Sequence, residues 1–96
     1  MTEIKHSTDG HNGSFDYIFE GQKLAEMVYR MTSDLQMTID HTEVHESLKG
    51  LGIGKKLLET IVEYARTEKI KIIPMCSFAR VTFERVEEWR DVLLNR

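Results

Sequence analysis

The stretch from Ile53 to Lys69 constrains the fold of this chain more than any other. Ile53, Leu57, Ile61 and Ala65 recur every four residues, and Leu58 and Val62 widen the apolar stripe. Lys55, Lys56, Glu59, Thr60, Glu63 and Arg66 fill the opposite side. This periodicity predicts an amphipathic helix that lays one face on a core. At 1.5 Å per residue it is about 25 Å long. Lys49 to Gly54, reading KGLGIG, runs directly into it, with Gly50, Gly52 and Gly54 at alternate positions. A glycine at a helix start costs about 0.5–1 kcal/mol relative to alanine. Three of them in so small a chain need a reason.

Upstream of the helix the period is two. Ile4 to His6 is a short first strand, and Ser7 to Ser14, STDGHNGS, reads as a loop by composition. Phe15, Tyr17 and Phe19 alternate with Asp16 and Glu20, and a hairpin turn follows at Glu20–Gln22. Ala25, Met27, Tyr29 and Met31 form the apolar face of the next strand, Thr32 to Asp34 turn the chain, and Leu35, Met37 and Ile39 form a third face. The front half is therefore an antiparallel meander of three or four strands. Extending the odd-numbered face reaches His41 and Glu43, yet the next apolar residue is Val44. Either the strand ends near His41, or a bulge lies between His41 and Val44.

Downstream of the helix, Ile70 to Cys76, IKIIPMC, reads as a short buried parallel strand whose pairing fails on one side at Pro74. Ser77 is the expected N-cap of a helix from Phe78 to about Val86. Glu87 to Leu94 is expected to be a last short helix that closes the core with Trp89. The predicted fold class is α+β (α/β): a meander of three or four strands, then a β-α-β unit with a parallel strand pair, then one or two C-terminal helices. One domain is expected over residues 1–96.

Composition narrows the classes of function. The chain is 41% hydrophobic and 30% charged, as ordinary globular proteins are. A net charge of −3 and a pI near 5.8 argue against nucleic acid as a partner. No apolar run approaches the roughly 18 residues of a membrane span. The opening MTEIKHSTDG lacks the apolar centre of a secretory signal. Cys76 is the sole cysteine, so no intramolecular disulfide forms, and a reducing cytoplasm is the expected compartment. Lys49, Lys55 and Lys56 lie close together with no acid among them. Such a spot on an acidic chain suits a small anionic ligand, or is a solvated helix start.

The β-α-β unit brings three features to one sheet edge, where ligands of open α/β sheets bind. They are the irregular strand end with His41, the glycine loop at a helix start, and Cys76 before another helix start. The first N–H groups of a helix have no internal partner and attract anions, phosphate above all. The competing reading of the glycines is a tight turn with close helix packing. Two other phosphate motifs are excluded: G-x-G-x-x-G meets Lys55 where it needs glycine, and a Walker A loop meets Lys56 where it needs Ser or Thr. Cys76 is a candidate nucleophile or proton donor at a helix start, or inert core filling. His41 is a candidate general base, or a strand-end histidine in a structural role. His6, His11 and His45 show no ligand spacing with Cys76, so no metal site is expected. Tyr64 and Trp89 read as core, Tyr29 as a lesser candidate proton donor to a thiolate. Asp40, Glu43 and Glu46 near this edge would attract a cationic group, or are ordinary surface acids.

KGLGIG resembles the acetyl-CoA pyrophosphate loop, (R/Q)-x-x-G-x-(G/A), of the GNAT superfamily of N-acetyltransferases. Lys49 stands where Arg or Gln is usual, which keeps the charge and loses a fork-shaped donor. The order of strands, loop, long helix, strand and helix is similar over nearly the whole chain. PMCSF (Pro74–Phe78) and EEWRDVLL (Glu87–Leu94) are similar to the small stand-alone YjdJ-type members. The resemblance implies that backbone groups of Thr42, Glu43 and Val44 pair with the pantetheine arm of acetyl-CoA between diverging strands. It implies that Lys49, Gly50 and the N–H groups of Leu51, Gly52, Ile53, Gly54 and Lys55 hold the pyrophosphate. The thioester would lie near His41 and Cys76, which would carry the chemistry. The implied activity is acetyl transfer from coenzyme A to an unidentified primary amine, on a small molecule or a protein. Two alternatives remain: a non-catalytic coenzyme A-binding sensor or interaction module, which a reduced acceptor region favours, and a plain structural domain.

Overall fold

A computed structural model describes residues 2–94. Four strands run antiparallel in chain order: β1 (Thr2–Thr8), β2 (Asn12–Phe19), β3 (Gln22–Ser33) and β4 (Gln36–Val44). A 3₁₀ turn (Glu46–Leu48) and the glycine loop lead into α1 (Ile53–Glu68). β5 (Lys71–Pro74) then joins the far side of β4 in parallel. α2 (Ser77–Arg85) and a 3₁₀ segment (Glu87–Val92) follow. The sheet has the expected class, a meander continued by a β-α-β unit.

Several boundaries differ from the sequence reading, each for a local reason. The polar stretch Ser7–Ser14 is mostly strand, so β1 extends well past Ile4–His6 at both ends. The turn sits around Asp9–His11, where the Asp9 carboxylate accepts the N–H groups of His11 at 2.9 Å and Asn12 at 2.7 Å. β1 is a solvated edge strand, so its polarity says little about its backbone pairing. Leu35 lies in the β3–β4 turn and is exposed rather than part of the apolar face. β5 is shorter than Ile70–Cys76. The N-cap of α2 is Cys76 itself, not Ser77: its Sγ accepts the Ala79 N–H at 3.4 Å. The final segment is 3₁₀ only to Val92, after which Leu93 bridges Ile72 and the Leu94 N–H donates to the Ile72 carbonyl at 3.1 Å.

The predicted stripe of α1 is the buried one: Leu57, Leu58, Ile61, Val62 and Ala65 are fully inaccessible. It joins Phe15, Met27, Tyr29, Met37 and Ile39 of the sheet in one core, with Phe83, Trp89 and Val92 from the C-terminal segments. Each large aliphatic buried there contributes about 1.5–3 kcal/mol relative to exposure. That packing holds a helix whose N-cap, Gly52, offers no side-chain hydrogen bond. Arg66 on the polar side of α1 makes a two-pronged ion pair with Asp91, at 2.9 and 2.7 Å, and ties the C-terminal segment down.

At the β1 end of the core, His6 stacks on Phe15 with ring centroids 4.1 Å apart and planes 8° from parallel. It meets Tyr64 edge-on at 4.7 Å and hydrogen-bonds the Tyr29 hydroxyl. Burial holds the His6 pKa below its ordinary 6.5. The unfolded chain therefore binds this proton more readily than the folded one. The stabilisation is full above about pH 6.5 and declines as the pH falls below it. Thermal unfolding from about pH 7.5 down to 5 is expected to show a falling Tm in the wild type and a shallower slope in His6→Phe. Identical slopes in the two proteins would contradict this reading.

Candidate functional site

β4 carries one residue more than β3 near its middle. Tyr29 pairs with Ile39 and Val28 with His41, which leaves Asp40 as the insertion. The bulge therefore precedes the expected interval, His41–Val44, and the strand runs on to Val44. Its effect is a change of parity. Thr42, opposite Met27, and Val44, opposite Ala25, now point to the α1 side of the sheet. β5 pairs only with Gln36–Ile39, ahead of the bulge. The ladder stops at Pro74, and the N–H groups of Met75 and Cys76 both turn to the Ile39 carbonyl, at 2.9 and 3.1 Å. Asp40–Val44 are thus left without a strand partner on the β5 side among the described residues.

The glycine loop has two structural reasons for its glycines. Gly50 and Gly52 have φ of +84° and +74°, left-handed values, with open space where a Cβ would be. At Gly54 an added Cβ would stand 2.7 Å from Cζ of Phe78, so this glycine lets an α2 ring sit on the first turn of α1. The Leu51 N–H, expected among the anion-facing amides, donates instead to the Leu48 carbonyl at 3.2 Å, and its side chain is exposed. The N–H groups of Gly52, Ile53, Gly54 and Lys55 have no acceptor among the described residues; the first bond into the helix is Lys56 N–H to Gly52 O, 3.0 Å. No acid stands in this first turn. Lys49, Lys55 and Lys56 are exposed around it. Unpartnered amides with adjacent cations make an anion site.

A cleft of about 310 Å³ opens on these amides. Thr42, Val44, Lys49, Gly50, Gly52, Ile53, Gly54 and Lys55 line it, together with Leu48 and Phe78, which sequence reasoning missed. The signal for Phe78 was an aromatic residue in the first turn after Cys76; Leu48 had none. Glu43 and Leu51 do not line this cleft. At Thr42 the cleft meets the cysteine: Thr42 Oγ1 lies 3.4 Å from Cys76 Sγ. Cys76 is half-buried there.

The structure does not bring His41 to Cys76. Neighbouring strand residues point to opposite faces, so His41, paired with Val28, and Glu43, paired with Glu26, lie on the sheet face away from Thr42. His41 Nε2 is 3.8 Å from Glu43 Oε1, and Glu26, His41 and Glu43 gather their polar atoms within 4.8 Å of one another. Lys23 neutralises Glu26 at 2.8 Å, and Arg30 faces Asp40 at 3.7 Å. A second cleft, about 630 Å³, adjoins the first at Val44 and Lys49 and includes Glu26, Glu43 and Glu46. It lies at the Val44–Glu46 end of β4, away from Cys76. Tyr29 is buried and bonded to His6, so the proposed proton donor stands apart from the thiol.

A parallel strand pair that parts at a bulge, with helix amides bared beside the opening, defines the class. The chain belongs to the GCN5-related N-acetyltransferase family, whose model matches residues 14–92. No curated protein matches it. Among solved structures it is similar to a GCN5-like candidate N-acetyltransferase from Staphylococcus aureus, at 39% identity and a TM-score of 0.74 over 98% of this chain and 89% of that one. It shares its fold with a GNAT family acetyltransferase from Elizabethkingia anophelis with acetyl-CoA bound, at 14% identity and a TM-score of 0.69 over 88% of this chain and 72% of that one. It also shares it with the ribosomal-protein-S18-alanine N-acetyltransferase from Escherichia coli, at 16% identity and a TM-score of 0.68 over 81% of this chain and 53% of that one. No helix among the described residues is long and apolar enough to cross a membrane.

The two reasons for glycine separate by mutation. Gly54→Ala is expected to displace Phe78 and cost about 1–3 kcal/mol. Gly52→Ala is expected to cost about 1–2 kcal/mol through its left-handed backbone alone. In denaturant titrations, Gly54→Ala should therefore be strongly non-additive with Phe78→Ala, and Gly52→Ala additive with it.

Proposed function

We propose that this chain is an acetyl-CoA-dependent N-acetyltransferase that passes an acetyl group to a primary amine. The observation that carries this reading is the set of four unpartnered amides, Gly52 to Lys55, opening on a cleft that reaches Cys76 by way of Thr42. The amides and Lys49 and Lys55 suit a diphosphate. The unpaired side of β4 at Thr42–Val44 suits the amide-bearing pantetheine arm, and Leu48, Ile53 and Phe78 suit its apolar surface. Coenzyme A supplies the acetyl group as a thioester.

Cys76 is the group we assign to the chemistry. Its Sγ attacks the thioester carbonyl carbon as the cysteine gives up its proton. The new S–C bond forms, the bond to the coenzyme sulfur breaks, and the departing sulfur takes up a proton. An amine then attacks the acetyl-cysteine; its nitrogen gains the acetyl group and loses a proton, and Cys76 regains its own. The α2 N-terminus, already donating to this sulfur through Ala79, stabilises the charge that develops on it. His41 has no part in this route, since it faces the other side of the sheet. The absence of an imidazole or carboxylate bonded to Cys76 among the described residues favours one second reading, a coenzyme A-binding module without turnover.

Thermal shift and intact mass separate these readings. Acetyl-CoA and coenzyme A are expected to raise the Tm and ATP to leave it unchanged. Acetyl-CoA is expected to add an acetyl group that Cys76→Ala abolishes, along with turnover on amine pools. Stabilisation with no adduct and no turnover would favour the binding module. No stabilisation by either coenzyme A form would sink both.

A further inference from the structure

We infer that the Thr42 side chain is a positioning residue for Cys76, a role beyond the backbone contacts this residue would offer a bound cofactor. The inference rests on the part proposed for Cys76 in acetyl transfer. The sulfur stands between two elements. Ala79 donates its N–H from the first turn of α2 at 3.4 Å, and the Thr42 hydroxyl lies 3.4 Å away on β4. It is there because of the bulge. Were Asp40 a regular ladder residue and not a bulged one, Thr42 would keep the even parity that faces away from α1 ahead of the bulge.

Thr42 lines the cofactor cleft while touching the thiol, so it is the side chain that joins the two. With the hydroxyl as donor, the sulfur accepts two hydrogen bonds from fixed groups on opposite sides. Both donors meet negative charge as it develops on the sulfur, first when the thiol gives up its proton and again when the acetyl group departs to the amine. A valine at this position keeps the shape and removes only the donor. A serine keeps the donor.

The experiment measures the rate of acetyl adduct formation on Cys76 by intact mass in wild type, Thr42→Val and Thr42→Ser. Two donors are used: acetyl-CoA, and a small acetyl thioester that lacks the nucleotide. The valine variant is expected to acylate about fivefold more slowly with both donors, as loss of one neutral hydrogen bond predicts. Serine should restore most of the rate. A valine variant that acylates as fast as wild type overturns the inference alone. Slowing in valine that serine does not relieve also overturns it, since packing would then explain the effect. A wild type that forms no adduct with either donor overturns the role of Cys76 and this inference together.

Discussion

One inserted residue organises the site. Asp40 gives β4 an extra step against β3, so the strand cannot keep both its register and its faces. Ahead of it, β4 is an interior strand, paired with β3 and β5 and packed by Met37 and Ile39 against the core. Beyond it, β4 keeps only β3 as a partner, and its inward face is handed from odd to even positions. β5 ends at the same level: its last ladder bond is from the Met75 N–H to the Ile39 carbonyl, beside the Pro74–Ile39 pair, where the bulge begins. The opening between β4 and β5 thus begins where the inserted residue of one strand meets the end of the other.

The helix that follows supplies the electrostatics. Its N-terminus has no side-chain cap and no acid, and four amides in sequence have no acceptor among the described residues. An ordinary protein helix would satisfy some of these groups with Ser, Thr or Asp at the cap. Leaving them bare costs stability, which the fully buried stripe from Leu57 to Ala65 offsets. The glycines serve the same end: Gly50 and Gly52 let the loop turn through left-handed backbone, and Gly54 lets Phe78 wall the cleft at close range.

Much of this was legible from residue patterns, and the failures have physical causes. Periodicity found β2, β3, β4 and α1 because each buries one face, which forces a repeat on the sequence. It misjudged Ser7–Ser14 because an edge strand buries neither face consistently, and polar residues then look like loop. Leu35 was assigned to a face because apolar character was read without the two-residue turn that places it outside. The cap of α2 was assigned to Ser77 because hydroxyls usually cap; the sulfur of Cys76 does so here. Within the site, the loop residues were readable because they are contiguous. Leu51 fell away because an amide engaged by Leu48 is a matter of local geometry, and Glu43 offers the opening only its backbone because its side chain lies on the far face.

By itself the sequence determined that a helix with a bare, lysine-flanked N-terminus follows an antiparallel meander, and that a strand irregularity lies close to His41. These are local properties, set by side-chain periodicity and by backbone freedom at glycine. The tertiary structure alone decided that Thr42 and not His41 meets Cys76, that Phe78 closes the cleft over Gly54, and that Tyr29 belongs to a distant aromatic cluster. The first two of those contacts join residues 34 and 24 positions apart in the chain. The first of them hangs on the parity of one strand, which a single inserted residue reverses.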